Sequence, residues 1–160
     1  MHDELKRRIQ DAFDADLARR PQMSLRSADS VDSFGRSLPF DAERDASTPA
    51  YFDHYGFGIA HLDAESWRHY LPLLAVYALD FPPQASLTIS MLVQSLRPPD
   101  RSPPRLGSLS EEQEASIRQF LEVLAHAPQS PYRHDARQAL DEWWTDGAIY
   151  RRAGGSEPPV

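Results

Sequence analysis

The segment Asp63–Pro83 reads DAESWRHYLPLLAVYALDFPP and contains the densest apolar run of the chain, from Tyr70 to Phe81. Apolar residues occupy nearly every side of a helix drawn through this run, which is typical of a helix buried on several faces. A membrane-spanning helix needs roughly 20 apolar residues, and this run is much shorter. The segment therefore predicts the central core helix of a helical protein, and no catalytic signature accompanies it.

The ends and the middle of this segment carry helix signals. Asp63 can cap a helix that begins at the next residue, because a short carboxylate accepts hydrogen bonds from the first free backbone N–H groups. Pro72 lacks an N–H and disfavours the helical conformation of the residue before it. We therefore expect two helices, 64–70 and about 72–80, with Pro82 and Pro83 ending the second. An unbroken, kinked helix is the alternative.

Further helices are expected on both sides of this core. Residues 3–20 carry an apolar residue at every fourth position, which makes one stripe along a helix. Ser110 and Gln113 form a capping-box pattern at the start of another helix. The remaining helices are predicted over 85–96 and 132–145. Together they predict an all-α fold, a single domain over residues 1–150 with five to six helices, and a disordered tail over 151–160.

The region 21–62 is predicted to be long and irregular, packed on or near one end of the bundle. Residues 22–50 show no hydrophobic period and are expected to form a long loop with at most a short turn of helix. The acidic stretch 41–45 within it is either a solvated loop or a docking surface. Residues 51–62, YFDHYGFGIAHL, form a short strand or an ordered loop, and Gly56 and Gly58 permit close backbone approach. The simplest interpretation of this aromatic stretch is a plug over the end of the helical bundle.

Two smaller features complete the expected fold. The proline-rich segment 98–104 is expected to be a stiff linker, extended like polyproline II. Tryptophans are often anchors of interfaces, but Trp67 and Trp143 are expected in the core. One indole of the adjacent pair Trp143 and Trp144 is then expected at the edge.

Composition excludes several classes of function. The chain has 160 residues, a formal net charge of −7 and no cysteine, so thiol chemistry is impossible. The negative charge disfavours nucleic-acid or anionic-membrane binding, although Arg97, Arg101 and Arg105 give weak local support for nucleic acid. No helical histidine pair, nucleophile elbow or phosphate-binding glycine loop occurs, so we expect no metal and no cofactor. The charged N-terminal sequence MHDELKRRIQDAF lacks an apolar signal region and favours the cytoplasm.

Two blocks of sequence resemble a known family. The first is WRHYLPLL, residues 67–74, and the second runs from Glu112-Gln113 through Ile117 and Phe120-Leu121 to a final helix with Ala136, Ala139-Leu140 and Trp143. This pairing resembles a family of small, mostly helical bacterial proteins of unknown function that carry a YLP-helix signature. The resemblance implies a shared fold and carries no catalytic residues. Small acidic proteins of this kind are similar to the immunity proteins encoded beside bacterial toxins.

The expected function is therefore that of a binding protein, not an enzyme. It would neutralise a basic toxin or effector protein by occluding it, since an acidic excess speeds encounter with a basic partner. A structural or adaptor protein that self-associates through the Trp143–Trp144 edge is the alternative. An enzyme of unrecognised type, with the His54–His61 region in its cleft, is a further one. The predicted partner-binding residues are Asp41, Glu43, Asp45, Tyr51, Phe52, His54 and Tyr55.

Overall fold

The computed structural model describes residues 2–80 and 86–151, and these ranges are helical and contain no strand. The eight α-helices found there are α1 Asp3–Ala12, α2 Asp14–Ala18, α3 Leu25–Phe34, α4 Pro49–Tyr55, α5 Ala64–Leu79, α6 Leu87–Ser95, α7 Glu111–His126 and α8 Arg133–Ala139. Short 3-10 helices cover Gly56–His61 and Leu106–Ser108, and a π-helical turn covers Leu140–Trp144. The all-α prediction is confirmed, but the chain forms more helices than the five to six expected.

The central helix α5 is continuous, so the predicted break at Pro72 is wrong and the unbroken alternative is right. A proline inside a helix removes one backbone hydrogen bond and costs about 3 kcal/mol. Burial offsets that loss, because Leu71 and Leu74 are both buried beside Pro72 and each contributes about 1.5–3 kcal/mol. The helix also packs against α1, α2, α6 and α7. It ends at Leu79, and the prolines predicted to end it lie outside the described residues.

Helices α1 and α7 pack on α5 and on each other. The α1 stripe is confirmed, since Leu5 and Ile9 are buried within the core. The predicted helix 3–20 is divided, however, at the fully buried Phe13, which separates α1 from α2. The capping box of α7 is also confirmed, with Gln113 N–H donating to Ser110 Oγ at 3.2 Å and Ser110 N–H donating to Gln113 Oε1 at 3.0 Å.

Residues 22–50 are not one long loop, because ten of them form α3. The helix begins after Ser24, whose Oγ accepts the N–H of Ser27 at 3.0 Å. It ends at Phe34, and the next residue, Gly35, has φ +67° and is a typical left-handed helix terminator. Few apolar residues face the core from α3, so hydrophobic periodicity gave no signal for it.

Residues 51–62 form helix α4 and the following 3-10 helix, not a strand. The 3-10 helix packs between α3 and α6. The expectation of close backbone approach is confirmed at Gly58, where an added Cβ would lie 2.5 Å from the Leu25 carbonyl oxygen and 2.9 Å from the Asp29 backbone nitrogen. A side chain at this position would separate α3 from the 3-10 helix.

The C-terminal part of the described chain corrects two expectations. Trp67 and Trp144 are the buried tryptophans, whereas Trp143 is only partly buried, so the core member of the pair is Trp144. Its indole Nε1 donates to the Leu96 carbonyl at 2.7 Å. The segment predicted to be an extended linker folds around Asp100, which is described below. The tail predicted over 151–160 lies outside the described residues, apart from Arg151.

Candidate docking surface

A buried ion pair lies behind the surface formed by α3, residues 35–48 and α4. Arg26 donates from Nε to Oδ1 and from Nη2 to Oδ2 of Asp45, both at 3.1 Å. The Tyr51 hydroxyl donates to Asp45 Oδ1 at 2.9 Å, and the Asp41 N–H donates to Oδ2 at 2.8 Å. Burial alone would raise the pKa of Asp45, but these hydrogen bonds outweigh it and hold the pKa below its ordinary value. Asp45 therefore joins three parts of the chain.

The acidic stretch 41–45 is an ordered turn. The Asp41 carboxylate accepts the N–H groups of Glu43 and Arg44 at 3.0 and 2.9 Å, and the Asp41 carbonyl accepts the N–H of Asp45 at 2.7 Å. The hydrogen bond donated by the Arg44 N–H is the main reason why the pKa of Asp41 is lowered. The side chains of Asp41 and Glu43 are exposed, so the turn presents fixed negative charge to solvent.

Hydrogen bonds also fix the chain between α3 and this turn. The Leu38 N–H donates to Ser27 Oγ at 2.8 Å, and Arg26 Nη2 donates to the Pro39 carbonyl at 3.0 Å. An irregular segment usually contributes mobile surface, but here the backbone is tied to α3 at two adjacent residues. The side chains of this segment are therefore held at defined positions.

A concave surface lies over these elements, and we name it the α3–α4 groove. Its volume is about 530 Å³. Phe34 stands at the end of α3 with 78% of its surface exposed, and Leu38 is 36% exposed. The groove is lined by Arg26, Asp29, Ser30, Phe34, Leu38, Arg44, His54 and Tyr55. Exposed apolar side chains beside polar ones in a concavity are typical of a binding surface.

The structure separates the predicted partner-binding residues into two groups. His54 and Tyr55 line the groove, and Asp41 and Glu43 are exposed on the adjoining turn. Their contact with a partner stays a prediction. The other three, Asp45, Tyr51 and Phe52, are buried, so they support the surface from beneath and do not form it in this conformation.

Burial of the aromatic pair has a clear physical basis. The Tyr51 ring packs edge-on against Phe52 and Tyr55 with centroid distances of 6.1 and 5.0 Å. Phe52 continues to Tyr77 of α5 at 5.7 Å, and its carbonyl accepts the Thr88 hydroxyl at 2.7 Å. These contacts anchor α4 to α5 and α6, as expected if the aromatic stretch has a structural role.

Phe34 and Leu38 are the groove residues that sequence reasoning missed. Both stood among scattered apolar residues in a stretch without hydrophobic period. Ser24 and Gly35 are a start and a stop signal for a helix and would have placed Phe34 at its last turn. No sequence signal gives the direction in which its ring points.

A second polar cluster lies where α4, α5 and the start of α6 meet. The Tyr77 hydroxyl donates to Asp53 Oδ1 at 2.6 Å, and the Ser86 hydroxyl donates to the same oxygen at 3.0 Å. Burial, together with Asp53, raises the pKa of Tyr77 to about 12. A phenol with a raised pKa is less ionised at neutral pH, so it supplies less phenolate to act as a base or nucleophile. The cluster is thus better suited to holding elements together.

Asp53, His54 and His61 make different contacts. His54 stacks edge-on against Tyr55 at the groove, with a centroid distance of 4.5 Å. His61 Nε2 lies 2.7 Å from Asp32 Oδ1 in an exposed pair. In the part of the chain that the structure describes, no three His, Cys, Asp or Glu residues are grouped as a metal ion would require. In the same ranges, every helix is too short or too polar to cross a bilayer.

The described residues define an all-helical protein with a partly apolar groove, which the hydrogen bonds of Asp45 hold in place from beneath. The chain belongs to the family of unknown function DUF6714, whose match covers residues 1–148. Comparisons with curated proteins and with solved structures gave no match.

Proposed function

We propose that the chain is a cytoplasmic binding protein that neutralises a basic toxin or effector protein by occluding it, with the α3–α4 groove as its docking surface. The exposure of Phe34 is the observation that carries the proposal. Fully burying a phenylalanine side chain contributes about 1.5–3 kcal/mol. A partner with a pocket that accepts this ring would therefore gain binding free energy from it.

Charge supports a basic partner. The chain has a formal net charge of −7, and Asp41 and Glu43 are exposed beside the groove. Arg26 and Arg44 also line the groove; the charge of Arg26 is paired with Asp45, and Arg44 is exposed within the acidic turn 41–45. Complementary potentials accelerate encounter and select against partners of like charge. An apolar pocket with a basic rim is therefore the partner surface that fits.

A capture experiment with matched variants tests this proposal. Wild-type protein is immobilised and exposed to lysate of its host, beside Phe34→Ala and Ile149→Ala, which removes a 57% exposed side chain outside the groove. We expect a basic protein to be retained by wild type and Ile149→Ala and lost with Phe34→Ala. The activity of the retained protein is then measured alone and in the presence of the chain.

Each outcome has a defined meaning. Inhibition of the captured protein by wild type, and weaker inhibition by Phe34→Ala, would support occlusion. Capture without inhibition would refute neutralisation. Equal capture by all three proteins would refute the groove as the docking surface.

Self-association through the Trp143–Trp144 edge stays a prediction, although part of this edge is covered. Trp144 is buried, and the guanidinium of Arg151 lies 4.8 Å from the ring centroid of Trp143 and covers part of it. The Trp143–Trp144 edge is therefore not a flat, open apolar patch. Sedimentation at several concentrations gives the oligomeric state directly.

A further inference from the structure

A second cavity, distinct from the groove, has an unusual wall of arginines. Its volume is about 450 Å³. It lies where the end of α6 meets the loop that precedes α7. The lining residues are Gln94, Ser95, Arg97, Pro98, Pro99, Asp100, Arg101, Arg105 and Leu106. A cavity of this size is within the range for small ligands.

Arg105 is buried without a carboxylate partner. It is only 3% exposed, and its Nη2 donates to the carbonyls of Ile59, at 3.0 Å, and Leu62. Its Nε has no hydrogen-bond acceptor among the described residues. Buried charges in proteins are normally paired. Two neutral carbonyls satisfy part of the guanidinium, whose carbon also lies 5.9 Å from the ring centroid of Trp67.

The other charged groups of the wall form no direct ion pair with Arg105 among the described residues. Arg97 is paired with Glu142 by two hydrogen bonds, at 2.7 and 3.2 Å. The Asp100 carboxylate accepts four backbone N–H groups, from Arg101, Arg105, Leu106 and Gly107. The Arg101 side chain is exposed and adds a second positive charge.

The electrostatic balance agrees with this geometry. Burial, and then the charge of Arg101, lower the pKa of Arg105 to about 10, although Asp63 and Asp100 act in the opposite direction. The arginine remains charged at neutral pH. A cation in this setting is stabilised by any anion that enters the cavity.

We propose that this cavity binds a small oxyanionic ligand through a phosphate or carboxylate group held by Arg105 and Arg101. Guanidinium groups bind both kinds of oxyanion by charge-assisted hydrogen bonds. Gln94 adds a further donor group, since its side-chain oxygen is occupied by Arg97 at 3.1 Å and its amide N–H groups remain. A long nucleic acid is disfavoured by the net charge of −7.

Calorimetric titration of the full chain with inorganic phosphate, malonate and a short oligothymidylate tests the site at constant ionic strength. Arg101→Gln removes one proposed donor from an exposed position and should leave the fold intact. Arg36→Gln changes the net charge equally on an exposed side chain that does not line the cavity. We expect saturable binding of phosphate or malonate, weakened at least about tenfold by Arg101→Gln and unchanged by Arg36→Gln.

Whichever of phosphate and malonate binds with the higher affinity indicates whether the ligand presents a phosphate or a carboxylate group. Absence of saturable binding by both at about 10 mM would overturn the proposal. Equal affinity of wild type and Arg101→Gln would overturn it as well. Binding of oligothymidylate without binding of phosphate would also do so, and would favour a nucleic-acid site.

Discussion

One buried carboxylate, that of Asp45, orders much of the candidate docking surface from beneath. Its side chain is completely inaccessible, and that of Arg26 is 11% exposed. Hydrogen bonds to Asp45 come from α3, from the turn 41–45 and from α4. The position of exposed groove residues therefore depends on a residue that no partner could reach.

Replacing this carboxylate should destabilise the protein. Asp45→Asn keeps the size of the side chain but leaves the charge of Arg26 unpaired, and breaking a buried ion pair costs about 3–5 kcal/mol. Urea unfolding measures the loss. Glu43→Gln removes a charge from the same turn at an exposed site and should change the free energy of unfolding by less than about 0.5 kcal/mol. Similar, small effects of both substitutions would contradict a structural role for Asp45.

Gly58 offers a second test at the scale of one residue. The Cβ of Gly58→Ala would lie 2.5 Å from the Leu25 carbonyl oxygen, a backbone atom that cannot move without moving α3. We expect a destabilisation of about 1–3 kcal/mol or more from this overpacking. Gly107→Ala is a milder comparison that should cost less, because its closest approach is 3.2 Å, to the Asp100 side chain. Thermal unfolding compares both variants with wild type, and a melting temperature of Gly58→Ala equal to that of wild type would show that α3 can shift freely.

At the scale of elements, a hydrogen-bond relay connects the start of α5 with the chain before α3. Asp63 Oδ2 accepts the Ser66 hydroxyl at 2.7 Å, and Ser66 Oγ accepts the Met23 N–H at 2.9 Å. Ser66→Ala would leave the Met23 N–H and one carboxylate oxygen without these partners. The expected loss of unfolding free energy is about 1–3 kcal/mol, which chemical denaturation measures. A loss of unfolding free energy of only a few tenths of a kcal/mol, as is typical at exposed positions, would mean that water replaces the hydroxyl.

The loop before α7 predicts a dependence of stability on pH. Burial alone would raise the pKa of Asp100, but four backbone N–H groups hold it below its ordinary value of 3.8. Asp41 and Asp45 are shifted in the same direction. A depressed pKa in the folded state stabilises the protein above the ordinary pKa, and this contribution is lost as the pH falls through the folded value. Stability should therefore decline below about pH 4.

Asp100→Asn isolates the contribution of this loop. Asparagine cannot ionise, so the variant should be less stable at neutral pH and should lose less stability on acidification. Free energies of unfolding measured across the acidic range give the two slopes. Parallel curves for wild type and variant would show that Asp100 contributes nothing to the acid dependence.

Elements with strong local signals could be predicted, and those fixed by long-range packing could not. The stripe of α1 and the capping box of α7 are local patterns. The break predicted at Pro72 followed a correct local rule, which burial along the whole of α5 overrides. Helix α3 was missed because only Leu25 and Ala28 bury apolar side chains from it.

For the whole molecule, sequence reasoning located the region of the candidate surface but not which side of it faces solvent. His54 and Tyr55 line the groove, whereas Tyr51 and Phe52, earlier in the same helix, are buried. That division depends on contacts with Tyr77 and Thr88, which are far away in sequence. Charge and aromatic content are visible in a sequence, but exposure is a property of the assembled fold.

The assembled surface also predicts how docking would respond to substitution and salt. Long-range attraction of charges acts on encounter, and contacts that form after encounter act on dissociation. Glu43→Lys should therefore slow association with the captured partner and make the rate less dependent on salt, because screening acts over about 8 Å at physiological ionic strength. Phe34→Ala should instead speed dissociation by about tenfold, as expected for an interface anchor. Surface plasmon resonance at two salt concentrations separates the two rates, with Ile149→Ala as the variant that should change neither. If Phe34→Ala altered only association, the ring would guide encounter and would not be buried by the partner.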